Sequence, residues 1–288
     1  MNSYFSSLHN HTVFCDGRDD VETMCRTAYE KKLHAVGFSA HAPLEKKAGI
    51  KTFWNLPEDK KDEYIKTVLE AKSRWEGKLK VLLGFEVDYI KGLRSALDDD
   101  IASCNSDYLI GAVHFIVPPN GTELFTIDGS PEELMNGVNK SFGGDINALM
   151  HAYYDASIEM IQLGGFNILA HPDIIKKNYR DEKPWNTEAE TARQKEVAVA
   201  AAKAGITVEV NTGGINRGKI NETYPSLTFL RMLRENNVPV IITADAHRAE
   251  HINGSYDIAV QTLIQAGYTE HEVLPTLSSL PRSVCKIS

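Results

Sequence analysis

Two histidines stand one residue apart in the segment SLHNHTVFCDG, which covers residues 7–17. Side chains two positions apart in an extended strand point to the same side, so His9 and His11 project together, and Asp16 follows within a short turn. Imidazole nitrogens and carboxylate oxygens are ligands of transition-metal ions. The segment therefore supplies half of a metal site, unless the two histidines lie on a solvated surface strand, and the rest of the chain decides between these interpretations.

Short apolar or β-branched segments alternate along the chain with segments whose apolar residues recur at helical spacing. This alternation predicts βα units and a parallel sheet. We predict seven strands, in the segments SYFSSLHNH, HAVGFSAH, KVLLGFEVDY, DYLIGAVHFI, FNILAHPD, ITVEVNTGG and VPVIITADAH. We predict helices over residues 19–33, 57–79, 93–105, 131–164 with a break at 143–144, 187–204 and 225–236.

The 288-residue chain contains no linker rich in Pro, Gly or Ser, no repeat and no low-complexity segment. We therefore expect one domain over residues 1–288, of the α/β class, with the length of a large α/β barrel. The two longest irregular stretches, 117–130 and 174–186, follow the fourth and fifth predicted strands. Barrel enzymes hold their substrate loops at this end of the strands.

The formal net charge of −8 argues against a broad basic surface for nucleic acid or for an anionic membrane. The chain shows neither a signal-peptide pattern nor an apolar run of membrane-spanning length. Cys15, Cys25, Cys104 and Cys285 form no paired motif, which is typical of reduced thiols. We expect a cytoplasmic protein without a nucleic-acid or membrane partner, and the sequence leaves its oligomeric state open.

Nearly every predicted strand ends in a residue that can bind a metal ion. Because the carboxyl ends of parallel barrel strands meet on one rim, we expect these residues to converge. Nine ligands are too many for one tetrahedral ion and suit two or three ions, with zinc, manganese or iron favoured over calcium. The nine are His9, His11, Asp16, His41, Glu86, His114, His171, Asp245 and His247. The other four histidines do not fit this rim, and we assign structural or surface positions to His34, His151, His251 and His271.

The ordered motifs HNH with Asp16, FSAH, GFEVDY, GAVHFI, AHPD and ADAH resemble those of the polymerase-and-histidinol-phosphatase (PHP) superfamily, and most of all its histidinol-phosphate phosphatases. The resemblance runs from His9 to His247. It implies a distorted, TIM-like barrel of seven strands with a trinuclear metal centre. By this resemblance one metal takes His9, His11, Glu86 and Asp245, a second shares Glu86 and takes His114 and His171, and a third takes Asp16, His41 and His247.

Such a centre suits the hydrolysis of phosphate monoesters, because three carboxylate ligands only half neutralise three divalent ions. We expect a metal-bridging hydroxide as the nucleophile and no phosphoenzyme. Asp245 and His247 are the catalytic candidates, and the group that protonates the leaving oxygen stays open. Arg217, in the loop NTGGINRGK, is a candidate for phosphate binding, and Gly213 and Gly214 allow a close backbone approach there.

Further substrate contacts are predicted on and beside the sixth strand. Glu209 shares a strand face with Asn211, and Glu209 either binds a substrate ammonium or supports a ligand histidine. Lys176 is a lesser candidate for phosphate. The aromatic residues considered as walls for an imidazole are Phe115, Phe125 and Trp185.

The resemblance implies a phosphatase that acts on L-histidinol phosphate in histidine biosynthesis. Two alternatives stay open: a related phosphoesterase that acts on nucleotides or phosphodiesters, and a metal-binding regulatory module without catalysis.

Overall fold

The computed structural model describes residues 5–119, 124–177, 179 and 183–269. Seven parallel strands form one sheet in the order β1-β2-β3-β4-β7-β8-β9, and two further strands, β5 and β6, form an antiparallel hairpin. The strands are β1 Ser6–Ser7, β2 Ala35–His41, β3 Lys80–Asp88, β4 Tyr108–Ala112, β5 Phe115–Ile116, β6 Phe125–Thr126, β7 Ile168–Leu169, β8 Thr207–Asn211 and β9 Val240–Thr243.

The two ends of the sheet meet just beyond β1 and β9. Asn10 and Ala246 form a parallel bridge. The N–H of His11 donates to the carbonyl of Ala246 at 2.9 Å, and the N–H of Ala246 donates to the carbonyl of His9 at 3.1 Å. The sheet is thus nearly closed into a barrel, as predicted, and this closure brings the first and last ligand segments side by side.

Helices cover the outside of the sheet. Asp20, Ser130, Asp145, Asn186 and Ser226 each accept a hydrogen bond from the first turn of a helix, which satisfies N–H groups that would otherwise lack a partner. The α-helices are α1 Val21–Glu30, α2 Glu45–Ala48, α3 Lys61–Arg74, α4 Asp99–Ala102, α5 Pro131–Phe142, α6 Ile146–Leu163, α7 Thr187–Ala204, α8 Gly213–Asn216, α9 Leu227–Glu235 and α10 Tyr256–Gln265. Single 3-10 turns lie at Glu58–Lys60, Ile174–Lys176 and Ala249–His251.

The predicted helix over 93–105 is wrong except for the single turn of α4, Asp99–Ala102. Ile90 bridges to Arg94 in an irregular turn, and the side chain of Arg94 is buried against the carboxylates of Asp98 and Asp100. These side-chain bonds hold the segment in a non-helical path. The fourth predicted strand is also too long, because Phe115–Ile116 leaves the barrel sheet and pairs with Phe125–Thr126.

The largest side chain of the apolar cluster inside the barrel is the ring of Tyr108. Tyr108 projects inward, and its hydroxyl donates to the carbonyl of Leu8. A Cβ on Gly37 would lie 2.3 Å from the hydroxyl oxygen of Tyr108, and a Cβ on Gly84 would lie 2.6 Å from its Cζ. The ring of Tyr108 therefore requires glycine at both positions. Gly37 precedes His41 in β2, and Gly84 precedes Glu86 in β3, so the ring lies below the ligands of these strands.

Candidate metal centre

The sheet register sets two ligands side by side. His41, the last residue of β2, pairs directly with Glu86 of β3. Side chains alternate between the two faces of a strand, so Glu86 projects to the same side as Gly84, into the barrel. The Nδ1 atom of His41 lies 3.0 Å from Oε2 of Glu86. The predicted convergence of strand ends therefore occurs, and Glu86 lies at its centre.

One group of ligands surrounds Oε1 of Glu86. The Nε2 atom of His171 lies 3.0 Å from this oxygen, and the Nε2 atom of His114 lies 3.6 Å from it. The two Nε2 atoms are 3.3 Å apart. Three donor atoms thus face one small volume, as the ligands of a single ion do.

A second group surrounds the other oxygen of the same carboxylate. Oε2 of Glu86 lies 3.1 Å from Nε2 of His9 and 3.5 Å from Nε2 of His11. Oδ1 of Asp245 lies 3.3 Å from Nε2 of His11. Glu86 therefore directs its two oxygens at two different groups of ligands, which is the geometry of a bridging carboxylate.

A third group lies nearer to the surface. Oδ2 of Asp16 lies 3.0 Å from Nε2 of His247, and Oδ1 of Asp16 lies 3.9 Å from Nε2 of His41. The ring of His11 stacks on that of His247 with centroids 4.3 Å apart. All nine predicted ligands are thus brought together, in groups that could hold several metal ions.

Buried atoms without hydrogen-bond partners indicate that metal ions fit this cluster. Unpaired polar atoms are costly in a protein interior. The cluster nevertheless buries six of them on predicted ligands, namely Nε2 of His9, Nε2 of His11, Nδ1 of His41, Oδ1 of Asp16, Oε2 of Glu86 and Nδ1 of His171. Bound cations would satisfy those of these atoms that face the ligand groups, such as Nε2 of His9 and Oε2 of Glu86.

The candidate ligands differ in charge state. Burial and the neighbouring His247 and His41 lower the pKa of His11 to about 3, so its ring is neutral. Burial also opposes charge on His114, but the carboxylates of Asp88 and Glu86 outweigh burial and raise its pKa to about 10. Neighbouring imidazoles hold the pKa of Glu86 well below its usual range despite burial. Charged imidazoles such as His114 therefore balance ionised carboxylates such as Glu86.

Two carboxylates support ligand rings from the side away from the metal groups. Oε2 of Glu209 lies 2.8 Å from Nδ1 of His9, and Oδ1 of Asp88 lies 2.8 Å from Nδ1 of His114. Each bond leaves Nε2 of its ring free for a metal ion. Sequence reasoning missed Asp88, although its position two residues after Glu86 gives it the same strand face.

Glu209 and Asn211 lie beneath the ligands and do not line the cavity. Oε1 of Glu209 accepts the N–H of His171 and the amide of Asn211, both at 2.7 Å. Its Oε2 accepts the hydroxyl of Thr243 at 2.9 Å. With Glu209 fully buried, its position favours support of a ligand histidine over contact with a substrate ammonium.

Lys176 is likewise turned away from the cavity. It is fully buried, and its ammonium lies 2.8 Å from Asp173 and 2.9 Å from Glu222. Those carboxylates already neutralise its charge, so this position does not support the predicted phosphate contact. The next residue, Lys177, lines the cavity instead.

Arg217 lies at the edge of the metal groups and holds two of their members. Its Nη2 donates to Oδ2 of Asp245 at 3.0 Å, and its Nη1 donates to the carbonyl of Asp245 at 3.1 Å. Its Nη1 is also 3.1 Å from Nδ1 of His247. A Cβ on Gly213 would lie 2.9 Å from Cβ of Asp245, so glycine at this position allows the backbone to pass close to Asp245.

A cavity of about 330 Å³ opens over the ligands. This volume falls in the range of small-molecule sites. Its aromatic lining is Phe53 and Trp54, whereas Phe115, Phe125 and Trp185 lie outside it. The other lining residues are Asp16, His41, Glu86, His114, Thr126, Asp128, Gly129, Glu133, His171, Ile174, Lys177, Arg217, Asp245 and His247.

The remaining histidines and cysteines lie apart from this cavity where the structure describes them. His34, His151 and His251 are not among its lining residues, and His271 lies outside the described residues. Cys15, Cys25 and Cys104 are free thiols, and Cys285 lies outside the described residues as well. None of the helices in the described ranges has the length and apolarity to cross a membrane.

Fold and site together define a metal-binding α/β barrel protein. The family model of the PHP domain matches residues 7–213, and the chain belongs to this family. A histidinol-phosphatase of Bacillus subtilis is 22% identical over 266 residues, which are 86% of this chain and 96% of the relative. A Deinococcus radiodurans protein named "Probable histidinol-phosphatase" is 24% identical over 261 residues, covering 90% of this chain and 92% of the relative.

Solved structures show the same fold. A Listeria monocytogenes protein, solved as a candidate histidinol phosphatase, superimposes with a TM-score of 0.76 at 23% identity and covers 88% of this chain and 98% of its own. Histidinol phosphate phosphatase of Lactococcus lactis, solved with zinc, L-histidinol and phosphate, gives a TM-score of 0.62 at 17% identity, with coverages of 92% and 95%. The predicted family and the predicted barrel are therefore confirmed.

Proposed function

We propose that this protein is a metal-dependent phosphatase that hydrolyses L-histidinol phosphate to L-histidinol and phosphate. One observation carries the proposal: nine candidate metal ligands come together, and seven of them line a cavity sized for a small molecule, with Arg217 at its edge. The relatives named above are called histidinol-phosphatases, and the Lactococcus lactis structure holds zinc together with both products of this reaction.

The three groups of side chains would hold three divalent ions, with zinc, manganese or iron as the candidates. When bound, such ions draw charge from a phosphoryl group and activate water. We assign the ions to the sets that the family resemblance gives. They are His9, His11, Glu86 and Asp245; Glu86, His114 and His171; and Asp16, His41 and His247.

The chain's own groups fix this constellation and bind the anionic substrate. Glu209 and Asp88 hold the rings of His9 and His114 so that their Nε2 atoms face inward. Arg217 keeps donors near Asp245 and, being 29% exposed in its side chain, has N–H groups to offer a phosphate dianion. Arg217 and the imidazoles hold the pKa of Asp245 well below its usual range, so Asp245 acts as a ligand rather than as the proton donor.

The test is phosphate release from L-histidinol phosphate against sugar phosphates, nucleotides and a phosphodiester, with protein reconstituted separately with zinc, manganese and iron. We expect a preference of several orders of magnitude for L-histidinol phosphate and its loss with chelator. Asp245→Asn should abolish hydrolysis, whereas Asp155→Asn, on the surface of α6, should leave it intact. Faster hydrolysis of another panel member would contradict the proposed substrate. Binding of the ligand without turnover would contradict the proposed enzymatic activity and favour a regulatory module.

We further propose that residues 1–288 form a single domain, in keeping with the one barrel sheet of the described residues. The unpaired thiols of Cys15, Cys25 and Cys104 support a reducing compartment such as the cytoplasm.

A further inference from the structure

The cavity has a second wall that is chemically unlike its metal-binding floor. This wall comes from residues 53–54 and 126–133, which contribute no predicted metal ligand. The hairpin of β5 and β6 positions the second segment, because the N–H of Ile127 donates to the carbonyl of His114 at 2.9 Å. A backbone hydrogen bond therefore fixes the wall beside the candidate ligand His114. The side chains of the wall can contact a part of the substrate other than the phosphate.

Two carboxylates of the wall, Asp128 and Glu133, line the cavity, and of the described lysines that line it, Lys177 contacts Asp128. Lys177 neutralises Asp128, because its ammonium lies 2.5 Å from Oδ1 of Asp128 and 3.0 Å from the Asp128 carbonyl. Glu133, by contrast, is exposed and accepts the backbone N–H of Ser130 at 2.7 Å. That bond lowers the pKa of Glu133, so its carboxylate is charged at neutral pH. A Cβ on Gly129 would lie 2.8 Å from Oε2 of Glu133, so glycine allows the carboxylate to lie over the loop.

Aromatic rings form the other part of the wall. Phe53 is 85% exposed at the mouth of the cavity. It meets Trp54 edge to face, with centroids 5.0 Å apart, and Trp54 stacks on Phe115 at 5.9 Å. The loop is anchored beside a metal ligand, because the N–H of Leu56 donates to the carbonyl of His41 at 3.0 Å. Because the ring of Phe53 is largely exposed to water beside a binding cavity, a flat ligand group that covers it would bury apolar surface and so gain binding free energy.

We propose that Glu133 and the Phe53–Trp54 pair form a leaving-group subsite, in which Glu133 selects a substrate ammonium and Phe53 covers a flat ring. The inference rests on the proposed function, since it requires that phosphate occupy the metal-binding floor. It defines the substrate class as phosphate esters of amino alcohols that carry an aromatic ring. The positive floor and the negative wall also fix the direction in which such a zwitterionic substrate enters.

The ammonium contact is tested with Glu133→Gln, and Glu132→Gln is the matched control. Glutamine at this helix position keeps the capping bond to Ser130 and removes only the charge. Glu132 is exposed on the same helical turn but does not line the cavity. For L-histidinol phosphate we expect Glu133→Gln to lower kcat/KM about fivefold, which is the effect of losing an exposed ion pair. For imidazolyl-propyl phosphate, which lacks the amine, we expect no change.

The ring contact is tested with Phe53→Ala, and Tyr29→Ala, a half-exposed aromatic outside the cavity, is the control. Phe53→Ala should lower kcat/KM about fivefold for L-histidinol phosphate and leave L-alaninol phosphate, which lacks the ring, unchanged. Equal losses on the matched analogues, or no loss on L-histidinol phosphate, would overturn the subsite while leaving the phosphatase in place. Wild-type protein that hydrolyses none of these esters would instead overturn the proposed function and the subsite with it.

Discussion

The support of His9 by Glu209 leads to a prediction about metal affinity. The carboxylate accepts four hydrogen bonds: Oε1 accepts from the His171 N–H and the Asn211 amide, and Oε2 accepts from Nδ1 of His9 and the Thr243 hydroxyl. In Glu209→Gln, one of these oxygens becomes an NH₂ group of nearly the same shape. If the remaining oxygen serves His171, the NH₂ group faces Nδ1 of His9. The imidazole proton then moves to Nε2, the atom that a metal ion needs.

The expected cost follows from this change of tautomer. Loss of a carboxylate behind a ligand histidine weakens metal binding by about tenfold to a hundredfold, which is about 1.4 to 2.7 kcal/mol. The assay is competition for zinc with a chromophoric chelator at fixed pH. Because Glu209 does not line the cavity, protein saturated with metal should keep most of its affinity for the phosphate ester.

The matched control is Glu159→Gln, which removes the same charge from an exposed ion pair with Lys91. It should leave the zinc affinity unchanged. If Glu209→Gln, shown to be folded by circular dichroism, bound zinc as tightly as the unchanged protein, Glu209 would not support His9 as a metal ligand. A loss in substrate affinity without a loss of metal would instead return Glu209 to the role of an ammonium partner.

Three further predictions concern the same architecture. Arg217→Ala should raise KM for the phosphate ester and also weaken metal retention, because the guanidinium holds Asp245; elemental analysis showing full metal content would contradict the second part. Metal affinity should rise with pH, because the raised pKa values of His9 and His114 keep these rings protonated at neutral pH and metal binding must release those protons. Calorimetry in buffers of different ionisation enthalpy measures that release, and a heat independent of the buffer would count against it. Gly84→Ala should destabilise the fold by about 1 to 3 kcal/mol, since its Cβ would overlap Tyr108; an unchanged Tm would reject this.

The sequence predicts the structure best where a rule can be applied to each strand or helix by itself. Strand alternation and the common direction of parallel strands suffice to predict that His41 and Glu86 meet, and the register pairs them directly. The helix over 187–204 is also found as predicted, with Asn186 at its start and Gly205, in a left-handed conformation, at its end. The segment 93–105 shows the limit of such rules, because the buried Arg94 and its carboxylate partners override helical spacing through contacts that periodicity does not contain.

The roles of the acidic residues depend on the whole barrel, and for this reason a single strand does not reveal them. Glu86 and Asp88 share a face of β3, as Glu209 and Asn211 share a face of β8. In β3 the first residue is a candidate ligand and the second supports His114, whereas in β8 the first residue supports His9. The row of paired residues through Glu86 runs by way of β4 and β7 to Thr207, so Glu209 lies two positions beyond that row and yet lies beneath the ligands. Strands of a closed barrel are tilted against its axis, and rows of paired residues change height as they pass around it. This change in height places one carboxylate among the ligands and another behind a ligand histidine. It arises from closure of the barrel, which the bridge between Asn10 and Ala246 completes.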